Sequence, residues 1–204
     1  MKRIYPGLFT LALFILSVGC KQETTEPDVK PDTKTAKLVA KDYSRWTYFS
    51  FKTGDSIPGI NETNFKERSD WDIAFHSYDV RLNGGASGKG KAGVVKLNTE
   101  DFNSVTQAPE SGYVVDKEEK VIVAIKSTGP VEENQPMNKT LDWLKFEVIT
   151  PPNYTFTLRK NVYIVRTAEG KYAKVQFTTY LNDKGERVYP TFNYVYQADG
   201  SRKF

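Results

Sequence analysis

An all-β fold is predicted by three features of this sequence. Runs of β-branched and aromatic residues recur along the chain. Clusters of Gly, Pro, Asn and Asp separate them, and no long stretch keeps an apolar period of about 3.6 residues. The third feature is the aromatic content: 12 Tyr, 12 Phe and 3 Trp favour strands and aromatic-lined pockets.

The runs, in order, are 46–52, 71–82, 92–97, 120–126, 144–149, 154–158, 161–167, 172–180 and 188–196. Alternation shows in Val162-Tyr163-Ile164-Val165, flanked by Lys160 and Arg166, and in Ala173-Lys174-Val175-Gln176-Phe177. Ala168-Glu169-Gly170-Lys171 reads as a hairpin turn, and so does the stretch from Leu181 to Glu186, which carries Asn182, Asp183 and Gly185. The best short helical candidates are Glu62–Ser69 and Lys139–Trp143. There is no internal repeat and no second domain boundary. The expectation is a single antiparallel β domain with few or no helices.

The N-terminus has the three-part layout of a secretory signal peptide. Lys2 and Arg3 form a basic head, an apolar run extends from Leu8 to Leu16, and Ser17-Val18-Gly19-Cys20 follows. The run is short for a permanent span, which needs about 20 apolar residues. Cys20 is the only cysteine, so no disulfide can form within the chain. Its position after a small residue fits a relaxed lipobox, with Ser17 where Leu is usual. Residues 1–19 are then the signal peptide, and Cys20 is the acylated residue that anchors the chain in a lipid bilayer. Residues 20–36 are polar, charged and proline-containing, with little to bury, and are expected to form a disordered tether. Its acidic residues soon after the cysteine resemble the surface-export signals of bacterial lipoproteins, a resemblance that implies display at the outer surface. Residues 37–204 remain for one domain, within the usual range of about 50–250 residues.

The formal charge of +4 falls by two when Lys2 and Arg3 leave, so no strong bias toward nucleic acid remains. The stretch from Asn83 to Ala92 nearly fits a phosphate-binding loop through Gly85, Gly90 and Lys91. Ala92 stands where Ser or Thr is required, and a strand follows instead of a helix. A flexible glycine-rich turn is the better reading. His76 is the only histidine and sits among apolar residues, so it reads as a hydrogen-bonded structural residue. A lone histidine cannot build a zinc site, and no nucleophile is marked out, so no enzyme is expected. Asp55-Ser56-Ile57 matches a short O-glycosylation pattern but reads by default as a turn. Met137 is the only methionine besides Met1 and lies in a polar, proline-containing stretch. Its thioether could fill space against Leu141 and Trp143, or serve as a soft ligand to haem iron.

Longer blocks carry a resemblance. Trp46-Thr47-Tyr48-Phe49-Ser50-Phe51, the stretch from Trp71 to Gly85, and Ser87–Gly93 resemble the HmuY-like family of Bacteroidetes haem-binding surface lipoproteins. So do Asn161-Val162-Tyr163-Ile164-Val165-Arg166 and the stretch from Gly170 to Thr178. The likeness runs from about Leu38 to Tyr196. It implies an all-β lipoprotein of the outer membrane, exposed at the cell surface. Such a protein captures haem between loops projecting from the sheet and passes it to a TonB-dependent receptor for iron acquisition. In the founding type two histidines bind the iron; in related members methionines serve. The blocks place His76 at a structural position. They place the first ligand in the loop Gly129–Lys139, where Met137 is the soft donor, and the second near Glu147–Tyr154, where Tyr154 is an oxygen donor. With Met137 as ligand, binding should tighten when iron is ferrous. The alternative is a family member without haem that binds a glycan, a peptide or another tetrapyrrole. An assembly or adhesion subunit is a third reading, which needs an exposed edge strand or a large apolar patch.

Overall fold

The computed structural model describes Met1, residues 32–150 and residues 153–204. The expected signal peptide, Cys20 and most of the expected tether lie outside the described residues. Among those residues no helix is long and apolar enough to cross a membrane.

Two antiparallel sheets face each other. One has five strands in the order β1 (Lys34–Lys37), β13 (Arg187–Gln197), β12 (Tyr172–Leu181), β11 (Tyr163–Arg166) and β6 (Gly93–Lys96). The other has four, in the order β3 (Asp55–Ser56), β2 (Thr47–Ser50), β4 (Ile73–His76) and β5 (Asp79–Leu82). Two ribbons complete the fold. The first pairs β7 (Lys117–Lys126) with β8 (Gly129–Met137), and the second pairs β9 (Leu144–Thr150) with β10 (Asn153–Leu158).

The main core lies between the sheets, where Phe49, Phe75 and Leu82 meet Val175, Phe177 and Phe192. Phe49 packs edge-on to Phe192 at 5.6 Å, and Phe75 to Phe177 at 6.0 Å, which are favoured aromatic geometries. Each fully buried Phe contributes about 1.5–3 kcal/mol through removal from water. Period-two alternation explains the placement. In β11, Tyr163 and Val165 enter this core. Ile164 and the preceding Val162 face the other way, into a second cluster with Val105 and Ala108. Both faces of β11 are therefore buried, and its alternating pattern marks two cores. A third cluster, on the outer face of the four-stranded sheet, gathers Trp46, Tyr48, Phe65, Trp71, Val121 and Met137.

Several expectations change. The run 71–82 is two strands joined by a two-residue turn, Ser77-Tyr78, because Ser77 adopts a φ of 54°. Gly129–Met137 is strand β8, although it reads as a loop. Its prolines, Pro130 and Pro136, are tolerated because a two-stranded ribbon leaves one side of each strand unpaired. Lys34–Lys37, at the end of the expected tether, forms strand β1 and pairs with Thr191–Tyr194. Asp55–Ser56 pairs with β2 and is not a turn. The Glu62–Ser69 candidate forms successive turns, and Lys139–Trp143 an irregular segment; the one helical element among the described residues is a 3₁₀ turn at Gly85–Ser87.

That 3₁₀ turn lies in the glycine-rich segment, which is closely packed and not flexible. A Cβ on Gly84 would lie 2.3 Å from the Ala92 carbonyl oxygen, and one on Gly85, at φ +60°, would lie 2.5 Å from that of Asp116. The glycines let the chain wrap Asp116, whose carboxylate accepts hydrogen bonds from the Leu82 N–H at 2.7 Å, the Ser87 hydroxyl at 2.6 Å and the Asn138 amide at 3.0 Å. This knot ties the start of β7 to the sandwich.

Candidate functional site

The two ribbons flank a cleft of about 450 Å³, within the range of about 300–1,000 Å³ found for small-molecule sites. Ile122 and Ile125 line it from the first ribbon, Phe146, Tyr154 and Phe156 from the second, and Tyr78 from the β4–β5 turn.

A bulge shapes the first wall. Along β7, Val121 and Val123 face the Trp46 cluster, so Ile122 points the opposite way, toward the cleft. Three residues on, Ile125 should point away from it. The register irregularity between Ile122 and Ala124 inserts one extra residue and returns Ile125 to the cleft side. Ile125 is left 66% exposed, a large apolar side chain held in water.

Cross-strand pairing shapes the second wall. Phe146 lies directly opposite Phe156, and Tyr154 is two residues from Phe156 on the same face. The rings stand 5.3 Å apart for Phe146–Phe156 and 5.6 Å for Tyr154–Phe156. Tyr78 carries the cluster inward at 4.9 Å from Phe156. The Trp143 indole N–H holds the turn by donating to the Tyr78 carbonyl at 3.0 Å. Burial pushes the Tyr78 phenol up to about 12.

Charges sit at the margins. Lys120 and Glu132 face each other at 3.7 Å across the first ribbon. At the second, the Arg187 guanidinium lies 5.2 Å from the Tyr154 ring centre and 5.0 Å from that of Phe156. The Tyr154 side chain, more than any other neighbour, raises the Arg187 pKa above the usual arginine value. Next to Arg187, Val188 has a φ of 71° and the β12–β13 register is irregular. A β-branched residue in that region carries about 1–3 kcal/mol of strain.

The cleft depends on how the first ribbon is held. Arg81 is fully buried on β5, its guanidinium 4.0 Å from the ring centres of both Trp46 and Phe65. It donates to the Pro136 carbonyl at 3.0 Å, the Tyr48 hydroxyl at 2.9 Å and the Glu62 carboxylate at 3.1 Å. Pro136 belongs to β8, so this cation bolts the ribbon's foot to the sandwich.

The sequence-predicted residues separate. Tyr154 lines the cleft and is 48% exposed. Met137 does not line it; 7% exposed, it packs at the foot of β8 in the cluster of Trp46, Trp71 and Val121. His76 does not line the cleft either; it is buried, its ring stacked on Trp46 at 5.1 Å and its Nε2 2.8 Å from the Tyr43 carbonyl. A carbonyl only accepts, so Nε2 carries the hydrogen, and Nδ1 has no hydrogen-bond partner among the described residues. Sequence reasoning missed Ile125, Phe146 and Arg187; the only available signal was that Phe146 and Phe156 recur at strand spacing on either side of Pro151-Pro152.

This arrangement of a two-sheet sandwich with two projecting ribbons has known relatives. The family model described as HmuY protein matches residues 42–194. The chain belongs to the HmuY family. The HmuY fold is shared with a crystal structure from Bacteroides vulgatus, described as an HmuY-like heme-binding protein. The two are 30% identical with a TM-score of 0.65, covering 82% of this chain and 95% of that one. The apo HmuY analog of Tannerella forsythia is 27% identical with a TM-score of 0.63, covering 83% and 99%. A Bacteroides fragilis protein described as a lipoprotein shares the fold at 21% identity and a TM-score of 0.65, covering 83% and 91%. None of the curated proteins matches the chain. Among the described residues of this HmuY-family chain, no group of His, Cys, Asp and Glu is arranged to hold a bare metal ion.

Proposed function

We propose that this HmuY-family protein binds haem in the cleft between the two ribbons. In this reading it is a binding protein and not an enzyme. It is anchored in the outer membrane through acylated Cys20, exposed at the cell surface, and hands haem to a TonB-dependent receptor. The observation that carries the ligand is the pairing of an aliphatic wall, Ile122 and Ile125, with an aromatic wall, Phe146, Tyr154 and Phe156. Such walls suit the two faces of a flat apolar ring system, and burying those faces supplies most of the affinity. The anchor and the surface location rest on the basic head, the apolar run and the lone cysteine of the N-terminus.

The donor set fits haem through oxygen. Tyr154 is the ligand, a half-exposed phenol on the cleft wall with a guanidinium beside it. Bound iron would supply a Lewis-acidic centre for that phenol oxygen. Met137, packed in the core, serves as filler at the foot of β8. An oxygen donor prefers ferric iron and a thioether ferrous iron, so redox state separates the two.

Titration of residues 21–204 with haem, followed by absorbance with and without dithionite, tests this. Saturable ferric binding that changes in Tyr154→Phe and persists in Met137→Ala is the expected result. Binding strengthened by reduction and lost in Met137→Ala would make Met137 the ligand. A spectrum of free haem in both states would overturn haem binding altogether. A second reading is favoured by one observation: among the described residues, no His, Met or Cys lines the cleft. In that reading the protein holds a tetrapyrrole by its faces and not by its metal, and metal-free protoporphyrin binds as tightly as haem.

A further inference from the structure

Arg187 is placed differently from the other cleft cation. Lys120 has Glu132 at 3.7 Å, whereas Arg187 forms no ion pair among the described residues. Arg45, Arg68, Arg81, Arg159 and Arg202 each pair with a carboxylate, and Arg166, outside the cleft, donates to the Lys91 carbonyl at 2.7 Å. The guanidinium of Arg187 lies against the Tyr154 and Phe156 rings, 5.2 and 5.0 Å from their centres. A guanidinium resting on rings keeps its N–H groups for partners around its edge, in a planar fork that matches a carboxylate. The residue that follows, Val188, sits at a φ of 71° beside a break in the β12–β13 register. A β-branched side chain is poorly suited to that backbone, and such outliers cluster at active sites and ligand clamps.

We propose that Arg187 is the anion-recognition residue of the cleft, pairing with a carboxylate on the rim of a flat ligand whose faces lie between the two ribbons. The inference rests on the tetrapyrrole reading of the cleft and extends it to the ligand's acidic edge. The other cleft cation, Lys120, already has the Glu132 carboxylate at 3.7 Å, so Arg187 is the cation left for a ligand carboxylate. Natural tetrapyrroles that carry ring-edge carboxylates belong to this class, and neutral flat rings of similar size do not.

The test compares metal-free protoporphyrin IX with its dimethyl ester, in the same detergent, by tryptophan-fluorescence quenching and porphyrin absorbance. The proteins are residues 21–204 with Arg187 intact, Arg187→Gln and Arg187→Lys. The intact protein should bind the free acid about tenfold more tightly than the ester, the scale of one charge-assisted pair. Arg187→Gln should lose that preference, its acid-to-ester affinity ratio falling from about tenfold to about one. Arg187→Lys should keep part of the preference, as a point charge without the fork. Equal weakening of acid and ester in Arg187→Gln would make Arg187 a packing residue and overturn the proposal. So would an intact protein that binds acid and ester alike, which leaves the tetrapyrrole reading standing. Binding of neither compound by the intact protein would overturn both.

Discussion

Phe75, Phe177 and Phe192 in the sandwich are fully buried, with Phe177 and Phe192 5.4 Å apart. Phe146 and Tyr154 on the second ribbon lie at a similar spacing, 5.6 Å, yet are 50% and 48% exposed. The ring chemistry and contact distance are the same; what differs is the number of layers. In the sandwich each inward side chain is covered by a second sheet, so alternation fills a closed core. A ribbon has two strands and nothing opposite it, and an isolated two-stranded ribbon is at best marginally stable in water. Here the sandwich holds the foot of the first ribbon through the Asp116 knot and the Arg81 bolt, and that of the second through Trp143 and Leu144, which are buried in the main core. The rings of the sandwich hold the fold together, and those of the ribbons remain available to a ligand. Exposed apolar side chains grouped around one cleft, Ile125, Phe146 and Tyr154, are the pattern that marks an interaction site.

The contrast is broken most severely from the sandwich side. Phe75→Ala should cost about 4 kcal/mol by urea denaturation, because the cavity lies among Trp143, Phe177 and Phe192 and cannot collapse. Arg81→Ala comes next, at about 3 kcal/mol, since the Pro136 carbonyl loses its buried donor and the space between Trp46 and Phe65 empties. It should also weaken tetrapyrrole binding, because the first ribbon loses its fixed angle; unchanged affinity in a folded Arg81→Ala protein would show that the ribbon needs no bolt.

Asp116 gives a smaller effect with a defined sign. Burial pushes its carboxyl up to about 6, against the hydrogen bonds from Ser87, Leu82 and Asn138 that favour the charged form. The folded state then holds this proton more tightly than the unfolded chain. The resulting stability is fully present below the ordinary aspartate range and is lost as pH rises through about 6. Stability profiles between pH 4 and pH 7 should show this slope in the native protein and lack it in Asp116→Asn; identical slopes would remove Asp116 from the account. The smallest stability change belongs to the ribbon itself. Phe146→Ala should alter stability by less than about 1 kcal/mol, because the ring is already half in water, yet lower porphyrin affinity about tenfold. A large loss of stability in that variant would mean that the ribbon rings are core after all.

Legibility in the sequence follows the same division. β11, β12 and β13 announce themselves because their side chains alternate against buried faces, and the turns between them carry Gly170 and Gly185 at φ of 89° and 74°. β8 was hidden. Gly129-Pro130-Val131-Glu132-Glu133-Asn134-Gln135-Pro136-Met137 has little β propensity, and it is a strand because β7 offers it a complete edge. The Ser77-Tyr78 turn was hidden because serine does not advertise a positive φ. Of the expected site residues, Tyr154 reaches the cleft, whereas Met137, one residue beyond Pro136, is drawn into the core beside Arg81's stack.

The sequence by itself determined the all-β class, most strands and the family, because these rest on local periodicity, composition and long ordered blocks of residues. Only the tertiary structure decided that a bulge returns Ile125 to the cleft, that Arg81 joins β5 to β8, and that Arg187 meets Tyr154 and Phe156 from a distant strand. Those arrangements depend on register, on bulges and on contacts between residues far apart in the chain. A period-two pattern says which faces a side chain can take, and tertiary packing decides which of them is closed.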